Sequence, residues 1–172
     1  MKIFEMLDQK GTYAGVRFDP ATTDALIKYT KDGKIPNPLP PSEYHSTILF
    51  SRRPCPEYKP LGDLKQPWMG HSPKIEVWPT QSGKRCLVIH YKSDDLENRH
   101  KELMDKHNAT YDFPEFKSHM TLSYDIGDFD ETTLPDITDY LSHFVINKEY
   151  YEPLDDNRYG TKEDRREEKR ES

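Results

Sequence analysis

Hydrophobic and polar positions along this chain switch between a period of two and a period of three to four, and the switches mark its elements. From Gly11 to Phe18 the pattern alternates, Ala14, Val16 and Phe18 on one face and Tyr13, Gly15 and Arg17 on the other, as in a half-buried strand. Asp19-Pro20 then reads as a helix start, with Asp at the N-cap and Pro at the first helical position. Ala25, Leu26 and Tyr29 recur at helical spacing until Lys31-Asp32-Gly33 ends the run. A Pro-rich loop over residues 35–41 leads into a strand that opens on His45 and runs through Ile48-Leu49-Phe50.

The same order recurs downstream. Residues 51–73 are rich in Pro and Gly, hold Trp68, and read as a long irregular excursion. Lys74 to Trp78 and Arg85 to Tyr91 then form a hairpin, and Ser93 caps a helix whose Leu96, Leu103, Met104 and His107 share a face up to Asn108. A loop over 111–118 leads to a second strand that opens on His119. Each half is therefore strand, helix, strand, and each closes on a strand led by His. Two such halves packed side by side would face each other across a cleft about a pseudo-twofold axis. Further on, a short helix is expected within Thr132 to Phe144, starting near Pro135, and a returning strand over Val145 to Tyr151. The expected organisation is one domain over residues 1–155 and a flexible charged tail over 156–172.

The two His-led strands carry the candidate chemistry: His45-Ser46-Thr47 and His119-Met120-Thr121. Residues two apart on a strand project to the same side, so each segment sets an imidazole beside a hydroxyl. Of the seven His, only these two are followed at the second position by Ser or Thr, and both run directly into apolar residues. Facing one another, two imidazoles can remove one proton while supplying another, and the hydroxyls can bond phosphate oxygens. The plainer alternative is a pair of strand-end histidines satisfied by neighbouring hydroxyls.

Composition narrows the partner. With 33% hydrophobic and 33% charged residues in 172, the chain can bury one core, a polar one. Net charge is -6, and the run 161–172 holds five basic and five acidic residues, so the negative excess lies in the body. Proteins that grip long nucleic acid carry the opposite sign, which points to a small phosphate ester instead. Cys55 and Cys86 lack the spacing of a disulfide framework or metal site. His100 and His107 share a helix without a third ligand that would make a zinc triad. No metal and no cofactor are expected, no stretch has the character of a signal peptide or membrane span, and a cytoplasmic monomer is the expectation.

HSTI and HMTL, in two strand-helix-strand halves of a chain this size, resemble the paired HxT or HxS motifs of the 2H phosphoesterase superfamily. Within it, MKIFEM, the passage from IPNPLP to YHSTILFSR, and KSHMTLSYD make the chain most similar to the phage anti-CBASS phosphodiesterases, which destroy cyclic di- and trinucleotide messengers of bacterial antiphage signalling. The resemblance spans residues 11–152. It implies a bilobal α+β fold, two strand-helix-strand lobes with antiparallel sheets around a central cleft. It also implies metal-independent cleavage of the 3′–5′ linkages of messengers of the 3′,3′-cGAMP type, in the host cytoplasm. His45 and His119 would be the acid and base, in either assignment, with Thr47 and Thr121 steadying charge on the non-bridging oxygens. An aromatic clamp and a C-terminal segment closing over the ligand are implied as well, with Glu149 the candidate to read a base edge. Two other functions share these features: a 2H enzyme acting on linear RNA ends, and a non-catalytic cyclic-nucleotide sponge.

Parity adds candidates for the clamp. If Val16 and Phe18 face the helices, Tyr13 lies on the cleft side; if Ile75 and Val77 are core, so does Trp78. Both aromatics could stack on nucleobases, or pack as half-buried residues. Lys117, just before the second motif, could lend charge to a phosphate or stay solvated.

Overall fold

Apolar side chains on alternate positions build one sheet rather than two separate ones. The computed structural model describes residues 10–80, 82–113 and 115–154; the MKIFEM segment and the expected tail at 156–172 lie outside the described residues. In chain order the elements are β1 (Thr12–Phe18), α1 (Pro20–Asp32), β2 (Ser46–Ser51), β3 (Gly62–Pro79), β4 (Arg85–Lys92), α2 (Asp94–His107), β5 (His119–Ser123) and β6 (His143–Pro153). The six strands form a single antiparallel sheet in the order β2-β1-β6-β3-β4-β5. The two expected lobes are its halves, β2-β1-β6 and β3-β4-β5, joined by the β6–β3 ladder.

One face of the sheet is apolar: Ala14, Val16, Leu49, Leu87, Ile89, Met120, Phe144 and Ile146 are buried there, with Leu26 and Tyr29 of α1 and Leu96 and Leu103 of α2 packed into the same core. Both helices start where the sequence requires. Asp19 Oδ1 accepts the Thr22 N–H at 2.8 Å, and Ser93 Oγ accepts the Leu96 N–H at 3.2 Å. Asn108 ends α2 in the left-handed region, φ 49°, a conformation Asn tolerates. The opposite sheet face carries the polar and aromatic side chains described below.

Two expectations are corrected. Residues 62–73 are not irregular: they extend β3 to 18 residues, pairing Trp68 to Ile146 and Gly70 to Phe144. Pro67 and Pro73 suggested a loop, but both fall where the register slips, between Asp63 and Trp68 and between His71 and Lys74, so their missing N–H groups leave no gap in the ladder. The helix expected within 132–144 is instead two single 3-10 turns, Glu131–Thr133 and Ile137–Asp139, each capped by an Asp side chain. The local Asp bonds satisfy the backbone without a longer helix.

Gly70 lies under the ring of Tyr91, which stacks on Phe144 at 4.4 Å and 8°. A Cβ at Gly70 would meet that ring at 2.5 Å, so the close approach requires glycine. Gly70→Ala is therefore expected to cost about 1–3 kcal/mol, the usual range for overpacking. Thermal unfolding checks it, and an unchanged Tm would contradict the packing described.

Candidate active site

β2 and β5 occupy opposite edges of the sheet, yet the curled sheet brings them together. Ser46, buried between the motif residues His45 and Thr47, donates its hydroxyl to the His119 carbonyl at 2.6 Å and accepts from the Tyr91 hydroxyl at 2.6 Å. The loop before β2 adds a second tie, the Leu39 N–H to the Leu122 carbonyl at 2.9 Å, beside a Pro38–Ser123 bridge. The two His-x-Thr segments are joined through the middle residue of the first.

Within each segment the geometry is the same. Nδ1 of His45 lies 2.8 Å from the Glu43 carbonyl, and Nδ1 of His119 lies 3.0 Å from the Lys117 carbonyl, in both cases the residue two before. A carbonyl only accepts, so each ring carries its proton on Nδ1 when neutral and presents Nε2 as the basic nitrogen. Both strands also bulge at the same step. Against β1 the pairing passes from Thr47 to Leu49, and against β4 from Thr121 to Ser123, leaving Ile48 and Leu122 as the extra residues. The Ile48 carbonyl is bonded by Nδ1 of His100 on α2 at 2.6 Å.

Burial makes the pair unequal. His119 is 8% exposed and His45 is half-buried. Desolvation is the main cause that pushes His119 down to about 4, assisted by the charges of His45, His90 and Lys117, while the Lys117 carbonyl bond works the other way. His119 is thus a neutral imidazole at pH 7.

The aromatics expected at the cleft lie beside the histidines. Tyr13 bonds Thr47 Oγ1 at 2.9 Å through its hydroxyl, with its ring edge-on to His45 at 6.3 Å. Trp78 lies 4.7 Å from the His119 ring. Each half so pairs one aromatic with one imidazole.

The model of the family described as anti-CBASS protein Acb1 matches residues 10–161. The Acb1 of Acinetobacter phage Ac42 is 42% identical over 86% of this chain and 93% of its own length. That of Enterobacteria phage T4 is 35% identical over 84% of this chain and 88% of its own. The chain belongs to the Acb1 family of anti-CBASS proteins. Its fold is that of the 2H phosphoesterases: the crystal structure of E. coli LigT in apo form aligns at a TM-score of 0.53 and 13% identity, covering 85% of this chain and 95% of LigT.

In this Acb1-family chain Glu149 does not serve the cleft, which corrects the base-reading role expected of it. It pairs with Val16 on the core face of β6 and is fully buried. Arg99 reaches its two oxygens at 2.8 Å each, and the Tyr58 hydroxyl (2.6 Å) and Leu61 N–H (3.2 Å) bond the second oxygen. A carboxylate this fully engaged ties α2 and the 51–61 connection to β6 and cannot turn to a ligand without breaking four bonds. Lys117 pairs with Glu115 at 3.6 Å and holds its ammonium 5.9 Å from the Trp78 ring. His100 and His107 are structural neighbours of aromatics, stacked on Phe116 and edge-on to Tyr58. Among the described residues no cluster could hold a metal ion, and no helix is long and apolar enough to cross a membrane.

Sequence reasoning missed Ser46, Arg17, Glu76 and His90. Arg17 donates to the Ser42 and Tyr44 carbonyls at 2.9 and 3.0 Å, shaping the approach to His45, and covers the Tyr150 ring at 4.7 Å. Parity with Tyr13 and Trp78 already set Arg17 and Glu76 on the cleft face. Nothing local announced Ser46, because its partners come from β4 and β5.

Two outcomes follow from the burial. Ser46→Ala leaves the Tyr91 hydroxyl and His119 carbonyl short of a partner and is expected to lose about 1–3 kcal/mol in urea unfolding. For His119, the unfolded chain takes up a proton near 6.5 whereas the folded protein does so only near 4, so stability falls as pH drops through that window. Unfolding midpoints at pH 7 and pH 5 should therefore differ more in the wild type than in His119→Gln; equal differences would count against a buried neutral imidazole.

Proposed function

We propose that this protein is a metal-independent phosphodiesterase that cleaves the 3′–5′ linkages of cyclic di- and trinucleotide messengers, opening them to linear products and so disarming CBASS defence in the host cell. The observation that carries the reading is the pair of His-x-Thr segments tied edge to edge, with both rings held through Nδ1 by the carbonyl two residues back. Membership of the Acb1 family supports the cyclic-nucleotide substrate over a linear RNA end.

The chemistry follows from the inequality of the two rings. In a ribonucleotide linkage the 2′-hydroxyl already lies beside phosphorus, so the protein chiefly moves protons. His119, neutral and buried, takes the 2′-hydroxyl proton on Nε2 as the oxygen attacks phosphorus. The O2′–P bond forms, the P–O5′ bond breaks, and His45, the more exposed ring, supplies the proton to the departing 5′ oxygen. Thr47 and Thr121 donate to the non-bridging oxygens as charge builds there. The first product is a linear nucleotide ending in a 2′,3′-cyclic phosphate, which water opens with the histidines exchanging roles.

Trp78, half-buried beside His119, is proposed to stack on a base flanking the scissile phosphate, whereas Tyr13, only 4% exposed, packs beside His45 and holds Thr47 through its hydroxyl instead of offering a face to a base. Stacking of about 1–3 kcal/mol per base tolerates different bases. One domain over residues 1–155, acting as a monomer, suffices for this chemistry because both motifs come from one chain.

With excess EDTA present, wild-type protein should convert an adenine-containing 3′,3′-cyclic dinucleotide to linear product, and His45→Ala or His119→Ala should slow turnover by about 10²–10⁴-fold while binding persists. Chromatography reads the outcome: intact substrate with wild type rejects the reading, and faster cleavage of a 2′–5′ oligoadenylate favours the linear-end function. Binding without any product identifies a sponge. The acid limb of kcat/KM should fall near pH 4, below the ordinary histidine value of 6.5, because His119 stays neutral until then; a limb at the ordinary value rejects His119 as the base.

A further inference from the structure

Glu76 precedes Trp78 by two residues on the cleft face of β3 and has no part in the proton transfers above. Its Oε1 accepts the indole Nε1–H of Trp78 at 2.7 Å, and its Oε2 lies 3.3 Å from Nδ1 of His90. Burial acts to raise its pKa, but the bonds from Trp78 and His90 prevail and hold the carboxyl below its ordinary range, so the acceptor stays charged. His90 is the register partner of His119 across β4 and β5, and its ring lies 6.1 Å from the indole.

The His119 ring needs two constraints. Its bond to the Lys117 carbonyl fixes the position of Nδ1 but leaves the ring plane open to tilt. The indole, 4.7 Å away and inclined at 49°, closes off that tilt and shields the ring from water. An indole has one polar atom, and here Glu76 takes it.

We propose that Glu76 is a positioning residue for the base: by gripping the Trp78 N–H it keeps the indole seated against His119, and through the indole it sets the plane of the imidazole. The role rests on the phosphodiesterase reading. It also explains a carboxylate on the face that receives a phosphate, where its charge by itself opposes binding.

The amide variant separates holding from charge. Glu76→Gln keeps a carbonyl oxygen to accept the indole proton, so its kcat should stay within about threefold of wild type. Glu76→Ala should lower kcat about tenfold or more with a smaller change in KM, the signature of a displaced catalytic group rather than lost binding. Trp78→Phe, which keeps an aromatic ring but removes the N–H, should fall with Glu76→Ala. Unchanged kcat in Glu76→Ala overturns the proposal, as does an equal loss in the Gln and Ala variants, provided each melts cooperatively.

A readout independent of turnover keeps this distinct from the enzyme reading. Trp68 and Trp78 are the two tryptophans, so a Trp68→Phe background leaves one indole proton resonance. In Glu76→Ala that proton should move upfield and exchange faster with water, and the His119 ring should titrate nearer the ordinary histidine value. If wild type shows no turnover, the phosphodiesterase reading fails while these resonances still decide whether Glu76 holds the indole. An indole proton and a His119 titration both unmoved by Glu76→Ala sink the inference whatever the activity.

Discussion

A buried hydroxyl bonds one edge strand of this sheet directly to the other. Strands at opposite edges of a flat six-stranded sheet would lie about 24 Å apart, five spacings of roughly 4.8 Å; here Ser46 on one edge bonds the His119 carbonyl on the other at 2.6 Å. The bond demands curvature, and the curvature is what sets two His-x-Thr segments on one cleft. Tyr91 completes the arrangement, its hydroxyl on Ser46, its ring over Gly70 and stacked on Phe144, and its N–H on the Ser118 carbonyl. Core and site share these atoms, so packing at Gly70 and chemistry at His119 are not independent.

Symmetry governs the backbone of the site and asymmetry governs its electrostatics. The two segments repeat the same carbonyl bond and the same bulge, so each presents Nε2 and a threonine hydroxyl in one orientation. Burial then makes the two unequal, since His119 sits under Trp78 and is held neutral while His45 is only half-buried. In the proposed chemistry this unequal access to water is what distinguishes the base from the acid. The aromatic on each side follows the same division: Tyr13 is tied to the threonine of its half, and Trp78 to a carboxylate beside the histidine of its half.

Much of this was legible along the chain. Asp19 and Ser93 announce helices because a cap acts within three residues, and the alternation around Tyr13 and Trp78 fixes their face because side-chain parity is local. The failures are equally physical. Pro67 and Pro73 look like strand breakers unless the ladder slips at those points, and a slip is decided by the partner strand β6 or β4. Glu149 could be read as a carboxylate facing a base edge only because its burial depends on Arg99 and Tyr58, fifty and ninety-one residues away in sequence.

The amino-acid sequence alone determined the two halves, their helices, the four residues of the His-x-Thr pairs and the family to which they point, because each of these is written in periods and spacings of a few residues. The tertiary structure decided that the halves share one sheet, that Ser46 bridges its edges, that His119 is the drier imidazole, that Glu76 grips the indole beside it and that Glu149 belongs to the core. Those outcomes depend on which atoms are brought within bonding distance and which lose their water, and both are properties of the packed chain rather than of any stretch of it.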